Sequence, residues 1–279
     1  METADKLLAQ RRKIWRQDGT RNLVDPVDAA SFLKEVGVCT HYAVSPEFPN
    51  LLHAYVGDPS YKAEASWDSP AGQIYPWRWE MGRASAGFYG ALVKHKPTWV
   101  SWDLLPLVLG AMRDRRDPED LYQAGELSQH AVRLADALRS AGGPMATAQL
   151  RATCGFSVGK ENRAAYLKGL EELEARLWVC KVFVADQAEE ADTESRMSHV
   201  WVGLHTPDAV EASERMSPED ATAKLGAELL ARYRLFDPKV VARALRLSPD
   251  LLLRDLSLDR VGSYVVARPT EEGAAELRT

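Results

Sequence analysis

Apolar positions recur at helical spacing along most of the chain, and many of these runs open in the same way. Asp25-Pro26, Asp117-Pro118, Ser217-Pro218, Asp237-Pro238 and Ser248-Pro249 each set a side-chain oxygen just ahead of a proline. The oxygen accepts from free N–H groups of a first helical turn, and proline at the first helical position removes no donor the helix needs. The pattern predicts helices over Pro26 to Val36, with Gly37 as the stop, and over Ser217 to Tyr233, with Ala221, Leu225, Leu229 and Tyr233 on one face. It also predicts shorter helices over Pro238 to Leu245 and Pro249 to Leu256. Nearer the N-terminus, Lys6 to Gln17 places Leu7, Leu8, Ile14 and Trp15 on one face, interrupted by Arg11, with Lys6, Arg12, Lys13 and Arg16 around the other side.

The middle of the chain repeats a shorter theme. Leu127, Ala131, Leu134, Ala135 and Leu138 mark one helical face, and Gly142-Gly143-Pro144 ends it. Thr147 to Cys154 forms a short helix with Gly155 as a left-handed cap and Phe156 folding back. Lys160 to Arg176 forms the third, with Ala164, Leu167, Leu170, Leu173 and Leu177 inward and Glu161, Ala165, Lys168 and Glu172 outward. "WVCKVFVAD" and "SHVWVGLH" then read as paired strands around a polar loop. Three helices followed by a two-stranded hairpin is the order of a winged helix–turn–helix. The order recurs from Ser217, where Gly262 turns the chain into "SYVVARP". Upstream, "VCTHYAV" reads as a strand, and Phe48 to Gln73, rich in Pro, Gly, Ser and Asp, reads as loop. Trp77, Trp79, Phe88, Tyr89, Trp99 and Trp102 form an aromatic-dense stretch, read as core packing rather than as a base-stacking shelf.

These elements predict a mainly α fold with small β-hairpins (α+β), organised as tandem winged helix–turn–helix units. The divisions fall at 1–24 for an N-terminal helix, 25–125 for a first unit with an aromatic-rich insertion, 126–208 for a second and 209–279 for a third. With 279 residues, 46% apolar and 27% charged, the chain can build such cores. No apolar run spans a bilayer, and the charged N-terminus lacks the apolar centre of a signal peptide, so the expectation is a cytoplasmic protein with no membrane partner. Cys39, Cys154 and Cys180 are odd in number and far apart, which fits reduced thiols. They form no CxxC pair. His199 and His205 share a strand face only at a distance, so no metal site and no cofactor are expected.

The stretch "GGPMATAQLRATCGF…RAAYLKGLEELEARLWVCKVFVAD…HVWVGLH" resembles the second winged helix of the AlkZ/YcaQ group of bacterial DNA glycosylases. "PWRWEMGRASAGFYGALVKHKPTWVSWDLLP" is similar to the shorter AlkZ-related branch, and the likeness runs from about Asp25 to Pro269. It implies strung winged helices and a role in removing alkylated or crosslinked bases. Active members carry Gln-x-Asp or Gln-x-Gln just after the first capped helix. The matching stretch here, "GVCTHYAV", offers Cys39, Thr40 and His41, with no glutamine and no carboxylate. Departure of a base leaves a sugar cation and needs an activated water, so a negative charge or an acceptor is required there. His41 is the candidate catalytic residue, as a neutral general base, with packing beside the buried Cys39 as the competing reading.

A net charge of −5 argues against non-specific coating of nucleic acid, but not against a local basic surface. The candidate DNA-binding residues are Arg11, Arg12, Lys13 and Arg16, then Lys94 and Lys96, then Arg113, Arg115 and Arg116, and Lys160, Asn162 and Arg163 at the start of the recognition helix. Against them stands the acidic wing, with Asp186, Glu189, Glu190, Asp192 and Glu194 offset only by Arg196. Three functions follow. The first is a winged-helix protein that binds duplex DNA, in DNA repair, without normal glycosylase chemistry. The second is an active glycosylase using His41. The third is a non-catalytic module whose partner is another protein.

Overall fold

A computed structural model of the chain describes residues 4–156, 159–183 and 197–268. The capping pairs behave as the sequence predicts. The side chains of Asp25, Asp117, Ser217, Asp237 and Ser248 all accept from backbone N–H groups of the turn that follows. The first region holds α1 (Ala4–Ile14), α2 (Pro26–Val36), β1 (Val38–Thr40), α3 (Leu51–Val56), α4 (Pro70–Ile74), α5 (Trp77–Arg83), β2 (Phe88–Ala91), β3 (Pro97–Val100) and α6 (Leu105–Met112). The second holds α7 (Pro118–Gln123), α8 (Gln129–Ala141), β4 (Met145–Ala146), α9 (Thr147–Thr153), α10 (Lys160–Ala175), β5 (Val179–Val182) and β6 (Ser198–Trp201). The third holds α11 (Val202–His205), α12 (Pro207–Glu214), α13 (Pro218–Tyr233), β7 (Leu235–Phe236), α14 (Pro238–Leu245), α15 (Pro249–Leu253), β8 (Leu258–Val261) and β9 (Tyr264–Ala267).

The fold is mainly α, with three small antiparallel sheets among the described residues. Their strand orders are β1-β3-β2, β4-β6-β5 and β7-β9-β8. In each, the last strand lies between a short strand that precedes it by a long stretch of chain and the strand that immediately precedes it. Two hydrophobic clusters fill the interior. One joins residues from Trp15 to Val265, so the first and third regions share a core, which Leu177, Cys180, Phe183 and Val200 of the second region also enter. The other runs from Leu121 to Trp201 and belongs to the second region. Helix α13 lies across α6, with Gly110 directly against the Ala221 methyl. Gly226 meets the backbone of Leu252 so closely that any side chain there would displace α15. The aromatic stretch is core: Trp77, Trp79, Phe88, Tyr89 and Trp99 are buried, whereas Trp102 is exposed and donates to Ser85 O at 2.8 Å.

Several elements differ from the sequence expectation. Helix α1 stops at Ile14, because Arg16 takes a left-handed backbone (φ 54°) that turns its guanidinium inward to Asp28 and Glu35, at 2.6 and 3.2 Å. The stretch from Phe48 to Gln73 is not all loop; it contains α3 and α4, capped by Asn50 and Ser69. The strand after α2 ends at Thr40, so His41 is not on a strand face with Cys39. Helix α10 keeps the expected face at Leu170 and Leu173, and at Leu177 just past its end, all of which are buried. It departs from that face in its first half, where Ala164 and Leu167 are exposed and Tyr166 is buried instead. The cause is Gly169, which lets α10 approach the backbone of α8 at His130 and Ala131. Glu172, expected outward, is half-buried and accepts from Ser128 N at 2.8 Å. His199 lies on β6 and His205 on α11, so they share no strand face. Asp255 takes a left-handed φ of 67°, and α15 ends at Leu253 rather than Leu256.

Between the N-terminal helix and the third region lies a buried ion pair. Arg11 Nη1 stands 2.7 Å from Glu47 Oε2, with both side chains buried. Arg11 also donates to Leu235 O, and Glu47 Oε2 accepts from Asp237 N at 3.0 Å. Removing one partner of such a pair strands a charge in the interior. Glu47→Ala is therefore expected to lower stability by about 3–5 kcal/mol in urea unfolding. A loss below ~1 kcal/mol would show that water reaches Arg11 in the variant and screens it.

Candidate nucleic-acid interface

Helix α2 ends where Gly37 takes a left-handed φ of 78°, and the chain passes directly into β1. Cys39 is fully buried opposite Trp99, and burial pushes its thiol up, so it stays protonated. At the end of β1, Thr40 Oγ1 donates to Tyr42 O at 2.7 Å and bends the chain. His41 then turns into the protein. Its Nε2 lies 3.0 Å from Ile74 O, which fixes the tautomer: Nε2–H donates, and Nδ1 carries the lone pair. Nδ1 has no partner. Burial first, and the nearby Arg78 charge second, hold the His41 pKa down to about 4.

His41 lines a cleft of about 410 Å³ together with Tyr42, Arg78, Tyr89, Lys94 and Lys96. The Arg78 guanidinium lies over the rings of Tyr75 and Trp79, at 3.7 and 4.3 Å, and its Nε has no hydrogen-bond partner. Lys94, on a left-handed backbone (φ 49°), donates to Val44 O at 3.2 Å. Lys96 is exposed. Tyr89 is almost wholly buried, which raises its pKa and keeps the hydroxyl neutral; that hydroxyl has no protein partner among the described residues. No carboxylate lines the cleft. Three cations with no acid opposite them attract anions, and the Tyr42 and Tyr89 rings add apolar wall.

A second cleft, of about 470 Å³, opens on the other side of the loop Ala43–Pro46 and is lined by Arg12, Trp15, Gln17, Ser45, Phe48 and Tyr264 among others. Of the basic residues singled out in the sequence, the structure leaves Arg12, Lys13, Lys94 and Lys96 exposed. Arg11 and Arg16 are committed to internal ion pairs. Arg113 pairs with Glu214 at 3.0 Å, and Arg115 donates to the carbonyls of Gly110, Ser213 and Met216. Arg116 pairs with Asp114 and Glu126. "MRDRR" thus ties helices together. Asn162, half-buried, and Arg163, exposed, lie in the first turn of α10; the Lys160 side chain and the acidic run 186–194 lie outside the described residues. Sequence reading missed Arg78. Its signal was an arginine between two tryptophans in "PWRWE", where stacking fixes a guanidinium without an ion pair.

The AlkZ-related family matches residues 24–246, and the chain belongs to that family, which ties it to the glycosylase-like proteins of DNA repair. Neither the curated proteins nor the solved structures offer a match. No helix among the described residues is long and apolar enough to cross a membrane.

The His41 environment sets a pH dependence. The unfolded chain protonates this imidazole near pH 6.5, but the folded chain only near 4, so acid favours unfolding. The contribution of His41 is fully present above pH 6.5 and is lost as pH falls toward 4, amounting to about 3 kcal/mol over that window. Urea unfolding at pH 7, 5.5 and 4.5 is expected to show a steeper loss in the wild type than in His41→Gln. Parallel curves would mean that His41 titrates normally and is not enclosed.

Proposed function

We propose that the protein is a cytoplasmic DNA-binding member of its family, built from three winged-helix units at 25–125, 126–208 and 209–279. In this reading it works in DNA repair without ordinary glycosylase chemistry. The repeated sheet order, with the final strand central in all three sheets, supports the winged-helix reading. The observation that carries the function is the cleft behind β1, at the position where active relatives bear Gln-x-Asp or Gln-x-Gln. It holds Arg78, Lys94 and Lys96 and no acid.

The same electrostatics that favour phosphate oppose base excision. A departing base leaves positive charge on the sugar, which is stabilised by a nearby carboxylate and destabilised by three cations. His41 is a poor substitute. Its folded pKa of about 4 makes it a weak base at neutral pH, and its Nε2–H is held by Ile74 O. What remains is phosphate binding, with Lys96 and Arg78 as the main contacts and Arg12 and Lys13 as an exposed basic arm.

Anisotropy titration of labelled duplex DNA at two salt concentrations tests this. Wild-type protein is expected to bind, more weakly at the higher salt. Arg78→Ala with Lys96→Ala should weaken binding about tenfold, since each lost phosphate contact removes a share of counterion release. Alkylated duplex is expected to keep its bases. Excision by the wild type that disappears in a normally stable His41→Ala variant would establish the enzyme reading instead. Absence of binding at low salt would leave the protein-interaction reading.

A further inference from the structure

The two clefts flank one loop. Ala43 and Val44 line both of them, so a ligand that crosses Ala43–Pro46 enters one cleft from the other. Both contain buried polar groups with nothing to bond. In the first, these are His41 Nδ1, an acceptor, and Arg78 Nε–H, a donor, with the Tyr89 side chain on the same wall. In the second, it is Trp15 Nε1–H, a donor, with the polar side chain of Gln17 lining the same wall. Buried polar groups are normally satisfied, so unpartnered donors and an acceptor on the walls of both clefts point to a polar ligand. Cations stand beside the orphans on each side: Arg12, without an ion pair, at the second cleft, and Arg78, Lys94 and Lys96 at the first. Glu47 adds no repulsion, because Arg11 and the Asp237 N–H satisfy it.

A base-paired duplex presents phosphates outward but keeps its base edges inside the helix. It can lie on the cations, but its Watson–Crick edges cannot reach His41, Tyr89 or Gln17. An unpaired strand carries both a phosphate and a free base edge on every nucleotide. Each cleft, at about 410 and 470 Å³, falls in the range of sites that enclose a small molecule. We propose that an unpaired segment of DNA crosses the Ala43–Pro46 loop, seating one nucleotide in each cleft with its backbone on Arg12, Arg78, Lys94 and Lys96. This rests on the DNA-binding reading and narrows it from DNA in general to single-stranded DNA.

The test compares one labelled 12-nucleotide strand of mixed sequence with the same strand in a blunt duplex, by anisotropy. The single strand is expected to bind at least tenfold more tightly. Four neutralised phosphates give a log–log salt slope of about −3 for the single strand. Tyr89→Phe removes only an oxygen, and Gln17→Ala empties the other cleft. Each should weaken single-strand binding three- to tenfold without moving duplex affinity, with melting curves confirming that both variants are folded. Duplex binding as tight as single-strand binding, or single-strand affinity unmoved by either substitution, overturns the inference while leaving DNA binding in place. Failure of both probes to bind removes the DNA-binding reading with it.

Discussion

The Arg11–Glu47 pair is the contact through which three distant segments of the chain are held in one geometry. Arg11 comes from α1, Glu47 from the loop after β1, and the groups that complete the pair, Leu235 O and Asp237 N–H, come from the third region. A charge pair this deep is costly to desolvate, and it is tolerable only when its remaining hydrogen bonds are met. Here they are met by chain more than 180 residues away in sequence. Around it, Trp15 and Phe48 pack edge-on against Tyr233, whose hydroxyl donates to Val38 O at 2.9 Å. The loop that carries Ala43 to Pro46 is therefore anchored at Glu47, and both clefts take their shape from that anchor.

The same bookkeeping explains how an acidic protein can still present exposed cations. Arginines in this chain do two jobs. Arg11, Arg16, Arg113, Arg115, Arg116 and Arg232 bridge helices through carboxylates or carbonyl groups, so their charge is neutralised or their donors are spent. Lys94 and Lys96 on a loop and Arg12 in the last turn of α1 are exposed and pair with no carboxylate among the described residues. Net charge reports the sum of both populations, whereas binding depends only on the second.

Under the proposed reading, the cleft behind β1 keeps the frame of the fold without the reaction. Its backbone frame, a capped helix, a glycine stop and a short strand, needs no catalytic side chain. Strand pairing is met without acidic or amide side chains, because Cys39 packs opposite Trp99 and Thr40 opposite Thr98. The reaction is more demanding. It requires negative charge where positive charge develops, and this cleft has positive charge already.

Much of the fold was legible in the sequence because its signals are local. A proline preceded by Asp or Ser, a glycine at a helix stop and a 3.6-residue apolar period act within one or two turns, and all five capping pairs open helices. His41 was legible as a candidate for the same reason, being adjacent to a recognisable helix end. The burial of Tyr166 in place of Ala164 and Leu167 on α10 was not, since it depends on how closely Gly169 lets another helix approach. The division of arginines into buried bridges and free contacts was not legible either. Arg11 and Arg12 are neighbours in a run of like charges, yet one is enclosed by Glu47 and the other faces a cleft. Local sequence determined which segments coil and where they stop. Only the tertiary structure decided which charges meet, because desolvation and ion pairing depend on groups that the chain brings together from far apart.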